Sequence, residues 1–395
     1  MKHLLLALIL ISNLSMAKTT KKTQTPKVDK DLRMEMNKIS HKIRELGPLI
    51  ASESEFSKST NKDKVVKSLT ELQTTFKELK KHPTIEMQGL SINQLIMSEE
   101  LKDVVNLVDK GKSVQGRAKL LSTLNLCVSC HSQSPGMSSA KLFSDDDISK
   151  YKINIFEKAE LYFVTRDYNK SLELYNQYLD SVKKTDDDEL VLRALERQLV
   201  YYVKIKKDFS EAKKYFENWI NKKKFSAMVQ SEIGDWVKML SGKPLWENFK
   251  PELVKEEEMD KFLKNFISDE EEGPIFTATN SSEVYDLNLS SILLDYYNAH
   301  PETKLGGRIL YWLAMLDKRL NDDLFFSLGD FYLLACMEKY SKDPIAKDCY
   351  EAYVEDMEIN LISEKKDKKA LDNNEKLMRL RKMINYQPKT ETEGE

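Results

Sequence analysis

Apolar positions recur at three- and four-residue steps along most of the chain, the spacing that gathers them on one side of an α-helix. Over 31–50 the stripe is Leu32, Met36, Ile39, Ile43 and Leu46, while Lys38, Arg44 and Glu45 fall elsewhere. A second stretch, 62–81, carries Leu69, Leu72, Phe76 and Leu79. It stops before His82-Pro83 because a residue ahead of proline is pushed out of the helical region. A third, 92–110, aligns Leu101, Val104, Val105 and Val108 and ends at Gly111, a residue suited to a helix C-cap. The fourth starts near Ser113, aligns Leu120, Leu124, Cys127 and His131, and ends at Ser134-Pro135-Gly136. Amphipathic helices joined by short connections predict an antiparallel four-helix bundle over 31–134.

Ser, Pro, Gly and a run of three acids then mark a linker at 135–147. Beyond it, 148–362 is again helical in pattern and contains a weak internal repeat. Asp167-Tyr168-Asn169-Lys170-Ser171 with Tyr175 aligns with Asp208-Phe209-Ser210-Glu211-Ala212 with Phe216. Ala159 and Tyr162 precede the first copy, Val200 and Val203 the second. Small residues that let paired helices approach, with aromatics filling the gap, match tetratricopeptide repeats, although the copies are spaced more widely than the usual ~34 residues. That spacing predicts lengthened helices or loops. Further helices are predicted at 225–240, 252–268, 281–299, 303–319, 324–340 and 343–361, with a loop over 269–280. The tail, 363–395, is rich in Lys, Glu and Asn. Its apolar spacing is confined to Leu377–Ile384, which predicts one loose helix in an otherwise disordered segment. The fold class is therefore all-α: a helical bundle followed by helical repeats, stacked pairs whose concave surface commonly holds another protein.

Composition changes this picture little. Charged residues make up 32% of the chain but nearly balance at a formal −2, so nothing points to nucleic acid. The N-terminus is more informative. Lys2 and His3 form a short basic region, 4–14 is apolar apart from Ser12 and Asn13, and Ser15-Met16-Ala17 is a small-x-small cleavage site. Residues 1–17 read as a signal peptide, too short to span ~30 Å of hydrocarbon, and 18–30 as a flexible spacer. The expected location is periplasmic, with no transmembrane segment after cleavage.

Cys127-Val128-Ser129-Cys130-His131 carries the candidate chemistry. Cys-x-x-Cys-His is the attachment signature of a c-type haem: two thiols one turn apart add across two porphyrin vinyl groups, and the adjacent imidazole meets the iron. A zinc site would need a second ligand pair, and Cys336 and Cys349 lack that spacing. A redox dithiol would need a thioredoxin-like βαβ surround, which the helical pattern does not provide. Cys336 and Cys349 flank the turn Ser341-Lys342-Asp343-Pro344. In an exported protein they read as a disulfide, the alternative being two buried thiols. His41 lies on a polar helical face and His82 and His300 precede prolines, so they read as surface or helix-end residues. Asp145-Asp146-Asp147 and Asp186-Asp187-Asp188 stand where helices begin and carboxylates favour free amides.

Residues 31–134, with the motif late in the fourth helix, resemble the class II cytochromes c, the cytochrome c′ type and its low-spin relatives. The class I cytochromes fit less well, since they place the motif near the domain start, and Met137 is too close to His131 to reach the opposite haem face. The resemblance implies one covalent haem c held by Cys127 and Cys130, with His131 as the proximal iron ligand. It further implies a distal methionine from the first helix in low-spin members, or an apolar blocking residue in cytochrome c′. Met36 shares the apolar stripe and is the expected ligand, whereas Met34 shares its face with Lys38, His41 and Glu45. Ser132-Gln133-Ser134-Pro135 stands where many members carry an arginine. The expected role is single-electron transfer, with the repeats docking a redox partner or envelope complex. Gas binding at an open distal side, and a repeat scaffold with a structural haem, are the competing readings. A peroxidase would call for a distal His-Arg pair, so an electron carrier is expected rather than a catalyst.

Overall fold

The computed structural model describes residues 30–79, 91–132, 148, 151, 153–183, 188–242, 249–267, 282–320, 328–363 and 374–386. Among the described residues all regular structure is helical: sixteen α-helices, a π turn and a 3-10 turn. No helix among them is long and apolar enough to cross a membrane.

The first group comprises α1 (Lys30–Ala51), α2 (Glu53–Phe56), α3 (Ser59–Leu79), α4 (Ser91–Asp109) and α5 (Ser113–Ser132). The apolar stripes dictate its packing: Leu46, Val65, Leu69, Leu101, Val104 and Val108 are fully buried. Helices α3 and α4 run antiparallel, since Lys62 Nζ donates to the Asp109 carbonyl at 2.7 Å and Gln73 Nε2 to the Ser98 carbonyl at 3.2 Å. Gly111, at φ +77°, reverses the chain into α5, a conformation glycine adopts without penalty. At Gly116 a Cβ would lie 2.8 Å from Val108 Cγ2, so the missing side chain lets α5 close on α4. Helix α2 has no counterpart in the sequence pattern. It is a single turn whose N-cap Ser52 Oγ accepts from the Glu55 amide at 3.3 Å, and it buries Phe56.

Two helix pairs follow: α6 (Ile155–Val164) with α7 (Tyr168–Ser181), then α8 (Asp188–Val200), continued by a π turn (Tyr201–Lys206), with α9 (Phe209–Lys222). Their connections match. Arg166 and Lys207, at φ 69° and 55°, immediately precede Asp167 and Asp208. Each aspartate caps the following helix by accepting the amide three residues on. Ala159 and Ser171 are fully buried across the first pair, and Ser171 Oγ donates to the Ala159 carbonyl at 2.8 Å. The distance between the two aligned segments reflects the length of the helix between them. The ten residues of α6 correspond to thirteen in α8 plus six in the π turn.

The remaining elements are α10 (Ala227–Ser241), a 3-10 turn (Pro251–Leu253), α11 (Glu256–Ile267), α12 (Ser282–Ala299), α13 (Gly306–Arg319), α14 (Gly329–Lys339), α15 (Ile345–Ser363) and α16 (Glu375–Met383). Consecutive helices from α12 to α15 pack on one another. Cys336 and Cys349 join α14 to α15 as a disulfide with Cα atoms 6.4 Å apart. Helix α16 departs from the expectation of a loose tail. Leu377 and Leu380, with Ile384 just past the helix end, are buried, and Arg381 Nε donates to the Tyr350 hydroxyl at 2.5 Å. Three apolar residues on one face are enough to dock a short helix when a cation anchors its polar side.

Of the histidines, His41 is exposed beside Glu45, His300 stacks on Tyr296 at a centroid distance of 4.4 Å, and His82 lies outside the described residues. Asp188 begins α8 and accepts from Ser226 Oγ at 2.7 Å, while the run at 145–147 lies outside the described residues. Among the described residues the first group packs on the later helices through α5 against α6 and α4 against α14.

Candidate functional site

Helix α5 continues as far as Ser132, so Cys127, Cys130 and His131 fall within little more than one turn of one helix, with Cys127 and His131 four residues apart on one side. The side chains of these three residues lie outside the described part of the structure. The helix that delivers them is held by buried Leu120, Thr123, Leu124 and Leu126, and Thr123 Oγ1 donates to the Lys119 carbonyl at 2.7 Å.

The register of α5 against α1 follows from Arg117. Its Nε donates to the Ile50 carbonyl at 2.7 Å and its Nη2 to the Ala51 carbonyl at 3.3 Å. Helix α3 runs back along α1, with Lys42 Nζ 2.7 Å from Glu71, α4 runs back along α3, and Gly111 turns the chain back again into α5, so α5 runs antiparallel to α1. Counting back from Ile50 to Met36 covers the same number of residues as counting forward from Arg117 to His131. At ~1.5 Å per residue, both paths are roughly 21 Å long. The start of α1 and the end of α5 therefore lie at the same level. Met36 is partly buried against the core beside Leu32 and Ile39, whereas Met34 is 53% exposed. Of the two methionines, only Met36 has the inward placement a ligand requires.

The donor chemistry is coherent. Two thiols, an imidazole and a thioether are donor types suited to a covalent haem and its iron, and residue counting from Arg117 brings the segments carrying them to the same level.

A second polar centre, absent from the sequence expectations, sits where α6 and α8 meet. Glu160 receives Arg193 Nη2 at 2.9 Å, Arg197 Nε at 3.0 Å and the Tyr175 hydroxyl. Burial alone would push the Glu160 carboxyl up, but Arg197 and then Arg193 outweigh it and hold the group at about 2. Arg197 is 2% exposed and lies 5.3 Å from the Phe163 ring centroid. A sequence signal for this centre does exist. Arg193 and Arg197 stand four apart, on one helical face, inside the apolar run of Val191, Ala194, Leu195 and Leu199, where an unpaired charge would be costly. Comparison of the chain with protein-family models, curated proteins and solved structures returned no match.

Proposed function

We propose that the chain is an exported, periplasmic monohaem c-type cytochrome of the four-helix, class II kind, fused to tetratricopeptide-like repeats that dock a protein partner. The observation that carries this reading is the helical continuity of α5 through Cys127–His131, at the level of Met36 on the antiparallel α1. When bound, the haem supplies a one-electron iron couple. Cys127 and Cys130 would tether it, His131 would offer an imidazole to the iron, and Met36 would offer a soft sulfur, which favours the reduced state. The repeat reading is supported by the matched Arg166-Asp167 and Lys207-Asp208 turns and by the small-residue contact of Ala159 with Ser171. Such pairs contribute surface rather than chemistry, so the later helices bind the redox partner or envelope complex.

The test is covalent attachment. Protein purified from a host with a cytochrome c maturation system should retain haem stain after denaturing electrophoresis, and Cys127→Ala with Cys130→Ala should remove it. Absence of covalent haem in the wild type overturns the reading. In the oxidised wild type, the weak long-wavelength charge-transfer band of methionine-ligated haem should be present, survive Met34→Ala and vanish in Met36→Ala with haem still attached. A high-spin wild-type spectrum with rapid carbon monoxide binding replaces electron transfer with gas binding.

A further inference from the structure

A cavity of about 180 Å³ lies between the first helical group and the helices that follow. Its walls come from four helices: Ile50 and Ala51 at the end of α1, Arg117 and Leu121 on α5, Phe156 and Val164 on α6, and Arg193 on α8. It is distinct from the haem-attachment motif, since Leu121 precedes Cys127 by more than one turn of α5.

Apart from its charged groups the lining is aliphatic or aromatic, which suits an apolar body. The size has a useful reference: an apolar cavity of about 150 Å³ takes up benzene, so this one admits a single ring or a short chain with one polar head.

The charged groups define the head. Glu160, although it lines the cavity, is occupied: two arginines and a tyrosine hydroxyl donate to its two oxygens. Glu157 is exposed and accepts the Asn154 amide at 3.1 Å in the capping box of α6. The donors are not used up. Arg193 Nε is buried with no hydrogen-bond acceptor among the described residues, and a buried donor left unsatisfied costs free energy. On Arg117, Nε and Nη2 are committed to the carbonyls of α1, while Nη1 has Glu53 at 3.8 Å, too far for a hydrogen bond. Two guanidinium groups on one cavity, each with a spare donor, call for a ligand that only accepts. A carboxylate does so with two oxygens and a single charge. A phosphate dianion would add a second negative charge beside Glu157 and Glu160 and would face an apolar wall.

We propose that this cavity is a binding site for a small monocarboxylate with an apolar body, of the size of benzoate. Because its walls belong to both helical groups, an occupant bridges them, and binding stabilises their association by mass action.

The probe is benzoate added to the full-length protein, measured by titration calorimetry and by thermal shift. Saturable one-to-one binding is expected, with the neutral isostere benzamide at least tenfold weaker, because a charge-assisted pair is lost. Inorganic phosphate should give no saturable binding. Leu121→Trp, which fills the cavity without touching an ion pair, should abolish benzoate binding, and Arg193→Gln should weaken it at least tenfold. The proposal is overturned by folded wild type that does not bind benzoate saturably or that binds benzamide as tightly. It is equally overturned by Leu121→Trp, folded by circular dichroism, binding benzoate like the wild type. The wild-type comparison of the two isosteres stands even if a variant fails to fold, and none of these outcomes bears on haem attachment.

Discussion

Arg117 closes the end of α1, its Nε donating to the Ile50 carbonyl at 2.7 Å from a helix that lies far along the chain. The last carbonyls of a helix have no partner within it, and a guanidinium satisfies two of them while countering the negative end of the dipole. The Arg117 side chain is only 12% exposed, so water does not readily replace it. Arg117→Met, which keeps the stem and removes the donors, should cost about 2 kcal/mol in urea denaturation. Arg117→Lys should recover only part of that, since one ammonium cannot reproduce the fork. If Arg117→Met unfolds at the wild-type midpoint, this residue does not set the register of α5 on α1.

The Glu160 centre should appear as acid sensitivity. Its carboxyl is held at about 2 in the folded chain against an ordinary 4.5, so the unfolded chain binds more protons between those values. The stabilisation is complete above pH ~4.5 and is lost as pH falls toward 2, by roughly 3 kcal/mol. Glu160→Gln should flatten that acid limb. It should also lower stability at pH 7 by about 3–5 kcal/mol, because Arg197 is left buried without its counter-charge. An acid limb unchanged in Glu160→Gln would show that another group governs it.

These residues illustrate what the pattern along the chain reveals and what it conceals. Stripes such as Leu69-Leu72-Phe76-Leu79 mark helices because burial and helical period coincide in the same residues, and all four are buried in α3. The alignment of the Asp167 and Asp208 segments was visible for a similar reason, since a turn is local, although the capping role of the two aspartates was not read from it. The Arg166 and Lys207 backbone reversals beside them were not legible, because neither residue type signals a positive φ. Glu160 with Arg193 and Arg197 was hidden because its partners are 33 and 37 residues apart. A charge inside an apolar run announces that a partner exists, not where it is. The Cys127–His131 motif lies at the other extreme, with its chemistry held in five consecutive letters. Its level relative to Met36 on α1, by contrast, depends on a long-range contact made by Arg117.

The docked tail helix gives a separate test. Leu377 is fully buried, and a leucine removed from such a position leaves both lost burial and a cavity. Leu377→Ala should destabilise the helices around α15 by about 2–5 kcal/mol, while Met378→Ala, at an exposed position beside it, should be nearly neutral. Hydrogen exchange over α14 and α15 would report the difference. Equal protection in the two variants would mean that α16 contributes nothing to the fold.

Glu283 gives pH dependence of the opposite sign. Trp236 Nε1 donates to its Oε2 at 2.8 Å, and the carboxyl is pushed up to about 8, first by burial and then by Glu196 and Glu232. Between pH ~4.5 and 8 the folded chain therefore holds a proton that the unfolded chain has released, so stability falls as pH rises through that window. Above 8 the folded chain carries the full cost of a buried carboxylate among other acids. Glu283→Gln keeps a carbonyl oxygen to accept from Trp236 and removes the titration. Near pH 4.5 the variant and the wild type should be of similar stability. At pH 9 the variant should be the more stable by an amount on the order of a few kcal/mol. Urea denaturation at pH 5, 7 and 9 measures the trend directly: a widening advantage for Glu283→Gln supports the assignment, and a variant less stable than the wild type at pH 9 refutes it.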